Sequence, residues 1–90
     1  MSYPSQIAIE CSNHLVGEES LAERLRWCEW SFLKLVPGNT PEDLWPTVWQ
    51  FQRRLLFVPM LDPYELEQLA MDILTGFASS VTRTTDEALV

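Results

Sequence analysis

Glycine is scarce, with three in 90 residues. That leaves no glycine-rich loop to cradle a phosphate, and the nucleophile elbow G-x-S-x-G is absent as well. Histidine occurs once and cysteine twice, with no C-x-x-C pair. A nucleophile with its base and orienting group, or a zinc site of paired ligands, cannot be assembled from so few candidates at the usual spacings. No catalytic residue, metal or cofactor is therefore expected, and the chain is read as a non-enzyme.

Basic residues are also few, 6 against 13 acids, for a net charge of -7. Direct binding to DNA or RNA needs a basic face to neutralise phosphates, so it is not expected. No run approaches the roughly 20 apolar residues of a membrane span. The opening MSYPSQIAIE has neither the basic region nor the apolar stretch of a signal peptide. No membrane partner is expected, and a cytoplasmic location is. Alternation with period two is never sustained, which argues against a sheet.

Large side chains are abundant. Hydrophobic residues make up 47%, including 4 Trp, 4 Phe and 2 Tyr. Such a composition argues against disorder. A chain this short buries only about 60–65% of its unfolded surface, a thin margin that bulky core residues help to offset.

The stretch Leu44 to Val58, LWPTVWQFQRRLLFV, carries two apolar stripes when read as a helix. Leu44, Val48, Phe51, Leu55 and Val58 follow one face, and Trp45, Trp49 and Leu56 follow the next. A helix apolar over most of its girth is buried, which would make this third helix central.

The remaining helices follow from their start and stop signals. Pro4 opens the first, which the spacing of Ile7, Ala8, Cys11 and Leu15 carries to Val16, with Gly17 as a left-handed stop. Ser20 and Glu23 form a capping box for the second, whose seam of Leu21, Leu25, Cys28, Phe32 and Leu35 extends it to about Val36. Thr40 and Pro41 open the third, but Pro46 falls where it would remove a helical bond. Either a separate turn over Pro41–Trp45 or a kink is expected, with regular helix from Thr47. Asp62-Pro63-Tyr64-Glu65 starts the fourth, with an apolar face of Leu66, Leu69, Ala70, Ile73, Leu74 and Phe77 and fraying near Gly76. From Ser79 periodicity fades. The fold expected is all-α: a compact bundle of about four short antiparallel helices, one domain over residues 1–81, with 82–90 as a loose tail.

Cys11 and Cys28 fall at similar distances from the turn between the first two helices, on their apolar faces. Buried free thiols are the reading taken, with a disulfide as the alternative outside a reducing compartment. Cys11, His14 and Cys28 could supply three metal ligands, but a site needs a fourth. His14 is better accounted for by the negative pole of its own helix.

The tryptophans are harder to absorb into one small core. If the seam of the second helix faces inward, Trp30 and Leu33 face outward with Arg26 nearby, and Trp27 lies on the flank. Trp45 and Trp49 stand outside the main seam of the third helix, with Arg53 one turn beyond Trp49. Trp and Arg dominate interface hot spots, and each Arg can stack on a Trp four residues away. Arg26, Trp27, Trp30, Leu33, Trp45, Trp49 and Arg53 are accordingly the candidate partner-binding residues. The function expected is a non-catalytic protein–protein interaction module, an adaptor or a self-associating helical protein such as a dimer. The alternative is a small acidic inhibitor, for instance a phage-encoded one, that binds and blocks a nucleic-acid-binding enzyme or complex.

Overall fold

The structure is a computed structural model and describes residues 3–81. Among these it has four α-helices and no strand: α1 is Tyr3–Leu15, α2 Leu21–Phe32, α3 Trp45–Leu56 and α4 Pro63–Asp72. Short 3-10 turns at Pro37–Asn39 and Val58–Met60 lie in the connections. The segment 82–90, expected to be a tail, lies outside the described residues.

Neighbouring helices run antiparallel, as side-chain pairs across them make plain. Leu15, Cys11 and Glu10 of α1 meet Arg24, Cys28 and Lys34 in turn. Phe32 of α2 meets Phe51, while Trp30 lies beside Leu56. Arg54 pairs with Asp72 at 2.9 Å, and Phe51 meets Phe77.

The central element is α2, not α3. It packs on α1, α3, α4 and the Val58–Met60 turn. The first stripe of α3 is buried as expected, through Leu44, Val48, Phe51, Leu55 and Val58. The second stripe stays open, with Trp49 and Leu56 exposed and Trp45 only partly covered. Two apolar stripes imply a central helix only when both find a protein neighbour.

Several boundaries differ from expectation for local reasons. α2 stops at Phe32, four residues early, yet Leu35 is still buried beyond it. Its last turn is closed by backbone N–H groups that follow, Lys34 to Ser31 and Leu35 to Phe32, and is braced from α3: the Gln52 amide donates to the carbonyls of Phe32 (2.9 Å) and, just beyond the helix, Leu35 (3.1 Å). Gly17 does not take a left-handed conformation. The end of α1 is closed instead by Arg24, which donates to the carbonyls of Leu15 (2.6 Å) and Glu19 (2.8 Å). Thr40 is buried and donates to Asn39 rather than capping a helix. A separate turn spans Pro41 to Leu44, so α3 begins at Trp45 and Pro46 sits in its first turn, where its missing N–H costs nothing.

The start of α4 matches its signal: the Asp62 carboxylate accepts from the Glu65 amide at 2.8 Å, and Glu65 accepts from the Asp62 amide at 3.3 Å. Its far end does not fray at Gly76. The helix passes through a π turn at Ile73–Phe77 and continues to residue 81, where Val81 is buried. Leu69, Ile73, Phe77 and Val81 are the buried positions, spaced by four. In a pure α-helix each such step drifts about 40° around the axis. The wider π turn takes up part of that drift and holds the four on one line. Leu74, expected on this face, is turned out to 41% exposure.

Replacing Gln52 with Ala removes two hydrogen bonds at once, although the Phe32 carbonyl keeps the Leu35 N–H. A loss of about 1–3 kcal/mol is expected, at about 0.5–1.5 kcal/mol per net hydrogen bond. Urea unfolding of the variant measures it, and an unchanged midpoint would show that water replaces the amide.

Candidate functional site

Cys11 and Cys28 are free and fully buried at the α1–α2 contact, and the Cys28 thiol donates to the Cys11 carbonyl at 3.7 Å. Hydrogen bonding with the Cys28 side chain, followed by burial, pushes the Cys11 thiol far above its ordinary value of 9.0. A thiol held protonated is neither a nucleophile nor a metal ligand. His14 turns away from the thiols: its Nε2 lies 3.4 Å from the Ser31 hydroxyl and its ring stacks on Trp27. Among the described residues no three metal-ligating side chains of His, Cys, Asp or Glu stand together.

Iodoacetamide at pH 8 is expected to leave both thiols unmodified in the folded protein and to alkylate both in urea; mass spectrometry distinguishes the two. The same geometry gives a pH dependence. Above pH 9 the unfolded chain releases the Cys11 proton while the folded one keeps it, so stability falls as pH rises, by up to about 1.4 kcal/mol per unit.

The surface is where α2 and α3 differ from ordinary bundle helices. Trp27 is 47% exposed, Trp30 56% and Leu33 58%, all on the side of α2 that turns from the core. Trp49 is 47% and Leu56 62% exposed on α3. Because α2 and α3 are antiparallel neighbours, part of this exposed surface meets across them. Trp30 and Leu56 line the same groove with Val58 and Pro59. Phe57 and Met60, past the end of α3, are exposed as well.

Of the two expected Arg–Trp stacking pairs, one forms and the other does not. Arg53 lies over the Trp49 ring at 4.7 Å, as the four-residue spacing allows. Trp30 instead meets Trp27, edge to face at 5.2 Å and 76°. Arg26 is exposed and lines the groove, and among the described residues it makes no ring contact, hydrogen bond or ion pair. Trp45 leans on the core and is the candidate residue least available to a partner.

Sequence reasoning did not pick out His14 as a support for this surface. Its ring stacks on Trp27 at 6.1 Å, and it is itself steadied by Ser31 of α2. The spacing within α2 cannot reveal a ring contributed by α1. Glu23 was missed for another reason. The capping box at the start of α2 is only half formed: Ser20 accepts from the Glu23 amide at 3.3 Å, and the Glu23 side chain does not return. That carboxylate lines the groove beside Trp30. Leu56 could have been found from its place in the second stripe of α3.

The arrangement offers broad apolar contact, two rigid indole rings and a few charges. Comparison of the chain with protein-family models, with curated proteins and with solved structures finds no match.

Proposed function

We propose that this protein is a non-catalytic interaction module that holds a protein partner, or a second copy of itself, on the aromatic surface of α2 and α3. One observation carries the reading. The core is closed by its own set of buried residues, yet Trp27, Trp30, Leu33, Trp49 and Leu56 remain uncovered on adjoining helices. Single exposed apolar residues are ordinary, whereas a contiguous apolar surface on so small a chain favours binding. Trp and Arg are the residue types enriched where binding energy concentrates, and Arg26 and Arg53 flank these rings. A cytoplasmic setting suits the two reduced, buried thiols.

Sedimentation velocity over a wide concentration range separates the two versions. Self-association predicts a concentration-dependent shift toward dimer, weakened by Leu33→Ser and Leu56→Ser. An adaptor remains a monomer until its partner is added. A protein that stays monomeric and whose Trp30 no partner shields from acrylamide would contradict both.

A further inference from the structure

The rim of the aromatic surface narrows the choice of partner. Trp27 and Trp30 stand at 76° to one another and form an open corner on α2. The groove beside it has a volume of about 330 Å³ and is lined by Glu19, Glu23, Arg26, Trp27 and Trp30. That is the low end of ligand-site volumes, a fit for an inserted side chain rather than a larger molecule. A second groove continues from it, sharing Glu23, Arg26 and Trp30, and adds Glu29 on one side and Leu56, Val58 and Pro59 on the other. Along the two grooves three carboxylates face one guanidinium.

Candidate occupants differ in how they meet this rim. A second copy would bring its own acidic rim and a net charge of -7 against an identical charge. A wholly apolar segment would cover the carboxylates without replacing their water, which is costly. A cationic side chain satisfies both parts: ring faces attract it through their quadrupoles, and carboxylates accept its N–H groups. The corner is also held in place before binding, since Trp27 is backed by His14 and His14 by Ser31.

We infer that the partner is a basic amphipathic protein segment, which places a Lys or Arg in the Trp27–Trp30 corner and lays apolar side chains along Leu56, Val58 and Pro59. This rests on the interaction-module reading and selects a partner of opposite charge over self-association.

The test is a titration of the full-length protein with two synthetic peptides of the same amphipathic pattern, one built from Lys and Leu and the other from Glu and Leu. Two-dimensional NMR follows the four indole N–H signals. The Lys–Leu peptide is expected to shift Trp27 and Trp30 saturably and to weaken steeply with salt. The Glu–Leu peptide should not bind. A Glu19→Gln, Glu23→Gln double variant, with its circular dichroism unchanged, should bind the Lys–Leu peptide about tenfold more weakly. Equal binding of both peptides at these indoles would overturn the cationic inference and leave the interaction module standing. Binding of the Lys–Leu peptide that leaves both indoles unmoved, or that ignores the double variant, would also overturn it. If neither peptide binds and the protein self-associates through Leu33 and Leu56, the inference fails while the module survives. If neither peptide binds and no association of any kind is found, both fall.

Discussion

Trp30→Ala is expected to weaken partner binding about 30-fold or more while leaving the protein folded. Trp30 is 56% exposed, so its removal opens no cavity in the core. The structural loss is the edge contact with Trp27, about 0.5–1.5 kcal/mol for an aromatic pair. At an interface the same ring would be desolvated at the meeting point of both grooves. Truncating a central Trp of this kind costs about 2–4 kcal/mol of binding, about 30-fold or more in Kd. Thermal unfolding and affinity, measured on one preparation, therefore move apart: Tm falls by about 2–12 °C with the protein still folded, while affinity falls about 30-fold or more. Trp45→Phe provides the contrast, because Trp45 leans on the core and its neighbours would feel the change first as a loss of packing.

The second large effect lies in the core. Phe32, Phe51 and Phe77 come from α2, α3 and the π turn, with ring centroids 4.7 to 6.2 Å apart. Phe32 and Phe77 are fully buried. Phe77→Ala is expected to cost about 3–5 kcal/mol, the sum of lost transfer energy and the cavity left behind. For a domain of this size each kcal/mol moves Tm by about 4–8 °C, so a fall of about 15 °C or more should appear by calorimetry. Total stability of such domains is about 5–15 kcal/mol, so the loss is a large share of it. Phe57→Ala, at an exposed ring, should stay within about 0.5 kcal/mol of the parent. Comparable losses from the two substitutions would show that the trio is not the centre of the core.

How far the fold was legible in the sequence depended on whether the governing signal was local. The Asp62–Glu65 capping box and the Ser20 cap are local, and they sit where the residues indicate. The buried stripe from Leu44 to Val58 is periodic, and each of its members is in the core. What failed depends on partners distant in sequence. The Gln52 amide braces the end of the second helix from the third, and Arg24 closes the first from the second. The π turn at Ile73–Phe77 answers to the line of side chains that α4 must bury, not to Gly76. Choosing α3 as the centre assumed that apolar surface finds cover, and it is the uncovered part that suggests a function.

The candidate site divides the same way. The outward placement of Trp30, Leu33 and Trp49 follows from helical spacing. The acidic rim did not, because acids at a helix start, as Glu19 and Glu23 are, suit the positive pole of its dipole without any second role. Their place on the groove is visible only when Trp27, Trp30 and Arg26 are seen to line it with them.

The central claim is that the uncovered aromatic surface of α2 and α3 is what this protein uses. Parallel affinity capture with two baits, the native chain and Trp30→Ala, tests it most directly. Both are immobilised in nuclease-treated lysate of the source cell containing an untagged copy of the chain, and the eluates are quantified by mass spectrometry. The prediction is a stoichiometric protein, or the untagged copy, that the native bait retains and the Trp30→Ala bait loses, with both baits folded by circular dichroism. Retention of the same proteins in the same amounts by both baits, or retention of nothing by either, would contradict it.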